Sequence, residues 1–213
     1  MKFRQVLLAL LHAAVFMLLF SAITVRAETD PHAGHRHHNA LPSGGGHYTT
    51  TSHSYRIQDV TLVNQDSVRV PLQTLLDDDK PLMLNIIFTT CTAICPIMTA
   101  TFSKTRQLLG NEAETIRMIS ITNDPDHDSA DVLKAYSARH GAAKGWQFLT
   151  GRRADIINVL RSLDAYPGNK MNHLPLTFLR PAHSAAWVRI EGLTTASELA
   201  GEYRKHTRSK IVQ

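Results

Sequence analysis

The sequence feature that most restricts the fold of this chain is an apolar run that leads directly into a pair of cysteines. Residues 82–88 are apolar except for Asn85, which is typical of a central strand buried on both faces. Cys91 and Cys95 lie in the loop that follows, and Pro96 suits the first position of a helix, where its missing N–H costs nothing. A cysteine pair between a buried strand and a helix predicts the thioredoxin-like arrangement.

Strand and helix patterns alternate along the rest of the chain. Apolar and alternating runs predict strands at residues 57–63, 68–72, 116–121, 146–149, 176–179 and 185–190. Helical spacing predicts helices over 97–109, from Asp128 or Ser129 to His140, over 156–163, and from the Thr195–Glu198 capping box to near Lys205. This order predicts an α/β domain of thioredoxin-like fold, with a mixed central sheet flanked by helices and an N-terminal β-hairpin.

The first 27 residues indicate export. Lys2 and Arg4 precede residues 6–25, which are almost wholly apolar, and residues 25–27 resemble a small-residue cleavage site. The segment is either a cleaved signal peptide or an uncleaved membrane anchor, because the apolar run approaches the length of a membrane span. Both alternatives place the folded domain in the periplasm or on the extracytoplasmic face of a membrane, and in the second residues 6–25 are a membrane tether.

Export also changes the charge of the chain. The net charge is +5, but residues 1–27 carry three cations and no acid, so removing them leaves +2. A mature charge this small argues against a nucleic-acid partner. The 213 residues include only two cysteines, which are too few for a disulfide-stapled scaffold and favour a redox or metal site.

Residues 28–54 predict a flexible, histidine-rich linker before a folded domain at residues 55–213. The segment is rich in small and polar residues and has almost no large apolar side chain, so it cannot bury enough surface to offset the entropy of ordering. Its histidines are His32, His35, His37, His38, His47 and His53. Such a tract either binds metal ions loosely or is simply a polar linker, and composition leaves both alternatives open.

The position and spacing of the cysteines favour metal binding. The unpaired N–H groups and the dipole of a helix N-terminus stabilise thiolates. Three residues separate Cys91 from Cys95, whereas thioredoxin-type reductases have two, and the wider loop allows both sulfurs to face one point. Two thiolates suit Cu(I), and an added imidazole gives a site that also holds Cu(II). The alternative is a plain structural disulfide, which would close a very short loop and constrain little.

Several segments around the cysteines resemble the Sco/SenC family. They are FTTCTAICPIMT at residues 88–99, an Asp-Pro-x-x-Asp segment with its following helix at 121–141, and GWQFLTG at 145–151. In order and spacing, the resemblance covers roughly residues 55–205. It implies a thioredoxin-like domain that carries one copper ion.

The resemblance also implies the ligands of that ion, as Cu(I) or Cu(II): Cys91, Cys95 and a histidine just before a late strand. The matching histidine is His173, in the run KMNHLPLTFL. The other histidines of the predicted domain are His127, His140, His183 and His206. They do not match the family position: His140 is expected to cap a helix C-terminus as a cation, and His183 lies in a predicted hairpin turn.

The chain departs from the family pattern at two positions. Asn172 stands where the family often has an aspartate, a residue suited to orient the histidine, and Pro175 is unusual there. Asp124 and Asp128 match the family segment and are expected to be structural, with Asp124 the candidate for a place beside the site. Two methionines lie close to these motifs in sequence, Met98 and Met171. Core packing is expected for both, and thioether donation to Cu(I) is the alternative.

The resemblance implies a metallochaperone for the binuclear copper centre of cytochrome c oxidase. Copper would arrive from the linker or from other copper carriers and pass by ligand exchange to the copper-bearing oxidase subunit, while a thioredoxin-like reductant keeps the cysteines reduced. Such a carrier breaks no substrate bond and is not an enzyme. The alternatives are a thiol–disulfide oxidoreductase, in which Cys91 attacks and Cys95 resolves to keep that subunit's cysteines reduced, and a copper or redox sensor.

Overall fold

The computed structural model describes residues 47–76 and 80–208. The predicted signal or anchor at residues 1–27, and most of the predicted linker, therefore lie outside the described residues. Within the described ranges, no helix is long enough and apolar enough to cross a membrane.

The described strands form one mixed sheet. They are β1 (Tyr48–Ser54), β2 (Thr61–Asn64), β3 (Arg69–Pro71), β4 (Leu82–Ile87), β5 (Arg117–Thr122), β6 (Trp146–Thr150), β7 (Leu176–Arg180) and β8 (Ala186–Gly192). Their spatial order is β1-β8-β7-β4-β5-β6-β2-β3. β4, β5 and β6 are parallel, and the remaining pairs are antiparallel. The prediction of a mixed sheet with β4 at its centre and an N-terminal β2–β3 hairpin is confirmed.

Helices cover both faces of this sheet. They are α1 (Leu72–Leu76), α2 (Ile94–Leu109), α3 (Ala130–Arg139), α4 (Arg153–Ser162) and α5 (Ala196–Arg208), with short 3-10 helices at Gly110–Glu114 and Lys170–Asn172. One apolar core contains residues of α1 and α4, and the other contains residues of α2, α3 and α5. Successive residues of β4 alternate between these cores, because neighbouring strand side chains point to opposite faces. This explains the continuous apolar run.

Asn85, the one polar residue in that run, has its side-chain oxygen paired inside the sheet. Its side-chain oxygen accepts a hydrogen bond of 2.6 Å from the Ser120 hydroxyl on β5. That hydroxyl in turn accepts a hydrogen bond of 3.0 Å from the indole N–H of Trp146 on β6. Asn85 is therefore fully buried in β4 with its side-chain oxygen paired to β5, while its amide nitrogen has no hydrogen-bond partner within the described residues.

The structure differs from the predicted linker at its C-terminal end. Residues 48–54 are not linker but the edge strand β1, which pairs with β8 from Tyr48 opposite Gly192 to Ser54 opposite Ala186. Its three consecutive threonines are β-branched and favour extended structure, and an edge strand needs few apolar side chains. His53 belongs to this strand and stacks on Tyr55, with ring centroids 5.3 Å apart, so it is part of the folded domain.

Two predicted helix starts are confirmed by their caps. Ser129, rather than Asp128, is the N-cap of α3 and accepts a hydrogen bond from the Val132 N–H. At the start of α5, Thr195 and Glu198 form the predicted capping box: each side chain accepts a hydrogen bond from the other residue's backbone N–H.

Candidate metal centre

The sheet topology brings three separate segments of the chain to one edge. β4 and β5 are parallel, so the cysteine loop after β4 and residues 123–129 after β5 emerge together. β7 is antiparallel to β4, and therefore begins at the edge where β4 ends. His173 lies three residues before β7, so the topology delivers it to the cysteine loop.

Cys91, Cys95 and His173 form a cluster in which the three candidate ligand atoms all lie within 4.8 Å of one another. The Cys95 sulfur and the His173 Nε2 atom are 3.5 Å apart. Cys91 is partly exposed, whereas Cys95 is fully buried and His173 is 8% exposed. Both cysteines are free thiols here, without a disulfide between them. The three predicted site residues therefore meet at one point, with Cys91 towards solvent.

Helix α2 begins earlier than predicted, and this changes the surroundings of Cys91. The helix starts at Ile94 rather than at Pro96, so Cys95 lies in its first turn. The Cys95 backbone N–H points at the Cys91 sulfur at 3.4 Å. Burial by itself raises the pKa of Cys91, but hydrogen bonds from the N–H groups of Cys95, Ala93 and Ile94 outweigh it and lower the pKa below its ordinary value.

Cys95 has the opposite character. Burial raises the pKa of its thiol far above the ordinary value, and a 3.4 Å hydrogen bond from the Phe88 backbone N–H opposes that rise only in part. The negative charge of a Cys91 thiolate would raise it further. Of the two thiols, Cys91 therefore loses its proton more readily, and Cys95 lies behind it with a raised pKa.

His173 is held in one orientation by the main chain. Its Nδ1 atom lies 2.9 Å from the Lys170 carbonyl oxygen. A carbonyl oxygen only accepts hydrogen bonds, so Nδ1 carries the proton and Nε2 faces Cys95. Burial lowers the pKa of His173 and outweighs the hydrogen bond to the Lys170 carbonyl, which by itself would raise the pKa. The lowered pKa favours a neutral ring. The edge of the His173 ring also meets Phe88, with centroids 4.9 Å apart.

Asp128 ties the cysteine loop to the loop after β5. It is fully buried. One carboxylate oxygen accepts from the Thr89 N–H at 3.1 Å and from the Thr122 hydroxyl at 2.6 Å, and the other accepts from the Thr89 hydroxyl. The candidate ligand atoms of Asp124, His127 and Asp128 lie within 4.8 Å of one another. Both carboxylates nevertheless accept hydrogen bonds from protein donors, and the donor to Asp124 is Lys170. The expectation of a structural role is thus consistent with its contacts.

The other sequence candidates lie elsewhere. His140 is the C-cap residue of α3, but burial lowers its pKa and so disfavours the expected capping cation. His183 lies in the β7–β8 turn with φ of 55°. Met98 is buried in the core as predicted, whereas the core prediction for Met171 is wrong: its side chain is 69% exposed, because the Lys170–Asn172 3-10 helix lies at the surface.

Two residues with contacts to the site were missed at the level of sequence. Thr89 joins the cysteine loop to Asp128, and Lys170 supplies the carbonyl that orients His173. The only sequence signal for Lys170 was its spacing, three residues before His173, which suits one turn of a 3-10 helix. Its carbonyl contact depends on backbone geometry that no residue pattern specifies.

The fold and the site together define a class of protein: a thioredoxin-like α/β domain with a Cys-x-x-x-Cys loop at a helix N-terminus and a histidine delivered by a neighbouring strand. A sequence model of the SCO1/SenC family matches residues 49–207. The chain therefore belongs to the SCO1/SenC family.

Individual relatives agree with this assignment. The SCO1 protein homolog of Bacillus subtilis (strain 168) is 33% identical over 108 residues, which are 50% of this chain and 55% of that relative, so the match spans about half of its length. The structure of BsSco, described as a member of the Sco family of cytochrome c oxidase assembly proteins with a disulfide switch, is 26% identical with a TM-score of 0.62. It covers 75% of this chain and 98% of BsSco.

A more distant structure shows the same fold. ScoI of Bradyrhizobium japonicum, solved with copper bound, is 21% identical with a TM-score of 0.56, and the match covers 71% of this chain and 99% of that protein. At this identity the likeness extends to the fold alone.

Proposed function

We propose that this protein is a copper carrier that holds one ion between Cys91, Cys95 and His173. The observation that supports this most directly is the convergence of two sulfurs and one imidazole nitrogen within 4.8 Å at the sheet edge. Two cysteine sulfurs suit Cu(I), and imidazole nitrogen suits both copper oxidation states. The donor set present in the chain thus fits copper.

The surroundings of the donors suit a site that exchanges its ion. Cys95 and His173 are buried and fixed, while Cys91 is partly exposed and within reach of a partner's ligands. The neutral His173 ring offers Nε2 without first losing a proton. The Cys95 thiol must lose its proton when it binds metal, so copper binding releases protons and strengthens as pH rises.

For the recipient, we propose the copper-bearing subunit of cytochrome c oxidase. The support is membership of the SCO1/SenC family and the relation to BsSco, a member of a family of oxidase assembly proteins. Transfer would proceed by ligand exchange during transient docking, on the extracytoplasmic side of a membrane. A thioredoxin-like reductant would return the Cys91–Cys95 pair to the dithiol form that binds copper.

The contrast between the two cysteines favours thiol–disulfide exchange as a second function. A partly exposed cysteine with a lowered pKa in front of a buried thiol is the arrangement in which Cys91 attacks a partner disulfide and Cys95 resolves the mixed disulfide. In that exchange the Cys91–Cys95 pair is oxidised and the partner disulfide is reduced. This chemistry needs no histidine ligand, so His173 separates the two functions.

The test is a copper titration of the full chain in its reduced form, beside His173→Asn. We expect one equivalent to bind tightly to the parent protein and at least about tenfold more weakly to His173→Asn, a difference of about 1.4 kcal/mol. His183→Asn is the matched control, because His183 follows the far end of β7 and asparagine tolerates its left-handed backbone. Equally weak binding by parent and His173→Asn would refute the carrier function and leave the thiol–disulfide function.

A further inference from the structure

We infer that Asp124 is a positioning residue for His173 and acts on it through Lys170. The inference rests on the proposed copper site, because it concerns how the nitrogen ligand of that site is kept in place. Among the described residues, Asp124 makes no hydrogen bond to His173; its carboxylate pairs with the Lys170 ammonium, and the Lys170 carbonyl holds the His173 ring.

Backbone hydrogen bonds fix Asp124 to the sheet. Asp124 follows β5 by two residues and is 8% exposed. Its backbone N–H donates a hydrogen bond of 2.9 Å to the hydroxyl of Thr122, the last residue of β5. The backbone N–H of Asn123, between them, donates to the Ile87 carbonyl at the end of β4 at 2.8 Å. Asp124 is therefore a buried carboxylate anchored to two central strands.

The anchored Asp124 carboxylate holds the Lys170 side chain through an ion pair. The side chain of Asp124 is 10% exposed and that of Lys170 is 38% exposed, so the ion pair is shielded from solvent on one side. The Lys170 ammonium also lies 5.6 Å from the centroid of the Phe88 ring. A partly buried ion pair and a cation–π contact together hold Lys170 more firmly than an exposed pair would.

Two hydrogen bonds connect the Lys170 carbonyl to His173. The Lys170 carbonyl accepts from the His173 ring at Nδ1 over 2.9 Å and from the His173 backbone N–H over 3.3 Å. Any shift of Lys170 moves both hydrogen bonds and turns the ring. Loss of the Nδ1–H bond would also free the other tautomer, in which Nε2 carries the proton and offers no lone pair to a metal.

The chain supplies a matched comparison two residues away. Asp126 belongs to the same loop and also pairs with a cation, Arg153. Both side chains of that pair are 61% exposed, and within the described part of the chain Asp126 forms no hydrogen bond or ion pair with Lys170 or His173. A substitution at Asp126 changes the charge of the loop by the same amount as one at Asp124 but leaves the connection to His173 intact.

The experiment compares Asp124→Asn, Lys170→Met and Asp126→Asn in the reduced, metal-free full chain by nitrogen-15 NMR of the His173 ring. We expect the Nδ1–H tautomer alone in the parent and in Asp126→Asn, and a mixture of both tautomers in Asp124→Asn and Lys170→Met. The copper affinity of the latter two should fall about tenfold, as is typical when the orienting partner of a ligand is removed. Combining the two substitutions should lower it no further.

A second readout separates positioning from general damage. Asp124→Asn should keep the backbone amide NMR signals of β4 and β5 at their parent positions, because the hydrogen bonds that fix residues 123 and 124 to these strands are donated by the backbone and not by the carboxylate. A single tautomer and parental copper affinity in Asp124→Asn would overturn the inference, and so would an equal loss in Asp126→Asn. If the parent itself binds no copper, the proposed function fails, while the tautomer measurement still decides the role of Asp124.

Discussion

The two cysteines of the centre differ in chemistry although only three residues separate them. Cys91 receives backbone hydrogen bonds from the first turn of α2 and is partly exposed, whereas Cys95 is buried within that turn. A helix N-terminus stabilises a thiolate only where the sulfur can accept hydrogen bonds from the helix N–H groups. Burial disfavours the charged thiolate at any position. The position of each sulfur therefore determines which of them reacts first.

We predict that alkylation of the reduced, metal-free protein is confined to Cys91. The reaction needs the thiolate, so its rate rises as pH passes upward through the Cys91 pKa, which is lowered from its ordinary value. Cys95 should stay unmodified over the same range, because burial raises its pKa and shields its sulfur. Mass spectrometry of iodoacetamide-treated protein across pH measures both rates, with Cys91→Ser as control. Equal labelling of the two cysteines would contradict this account.

Among the residues of the loop after β5, we predict that substitution of Asp128 lowers the free energy of unfolding most. Asp128→Ala removes the acceptor of the Thr89 N–H and of two threonine hydroxyls in a buried place. We expect the free energy of unfolding to fall by about 3 kcal/mol, since unmatched buried donors are costly. Urea denaturation measures this loss. Asp126→Ala, at an exposed carboxylate, should cost less than about 0.5 kcal/mol; comparable losses in both variants would show that Asp128 has no special role.

At the scale of elements, the attachment of β1 depends on a glycine at the end of β8. Gly192 has φ of 117°, and a Cβ atom there would lie 2.4 Å from the His47 carbonyl oxygen and 2.8 Å from the Tyr48 Cα. Both contacts are with backbone, which cannot move aside without breaking the register of β1 on β8. The edge strand therefore requires glycine at this position.

We predict that Gly192→Ala loosens β1 and lowers the free energy of unfolding by about 1–3 kcal/mol, the usual cost of a strained backbone position. Amide hydrogen exchange should accelerate in β1 and leave β4 and β5 unchanged. Gly201→Ala is the matched control, because no atom lies within 4 Å of a Cβ built there and alanine favours its helix. Unchanged exchange in β1 of Gly192→Ala would show that the close approach is not limiting.

The elements also show which features were readable from sequence. β4 was predicted because burial on both faces leaves an apolar run, and α2 because of its cysteine loop and Gly110. β1 was missed because its hydrogen bonds come from a strand more than 130 residues away, and its composition resembles a linker. Long-range pairing of this kind leaves little trace in local composition.

For the molecule as a whole, the site follows from topology more than from any single motif. The cysteine pair could be identified from sequence, and His173 from its place before a strand and from the family resemblance. That these residues meet depends on β7 running antiparallel to β4, which brings its first residue to the edge where β4 ends. The hydrogen bond from the His173 ring to Lys170 could not be predicted from sequence, because its acceptor is a main-chain carbonyl.

The most direct test of the central claim is X-ray absorption at the copper edge of the full chain loaded with one equivalent of copper. The account predicts two sulfur neighbours and one imidazole nitrogen around the metal, with the nitrogen signal lost in His173→Asn and retained in His183→Asn. A copper environment of nitrogen and oxygen alone, or one that His173→Asn leaves unchanged, would contradict the assignment of Cys91, Cys95 and His173 as the copper site.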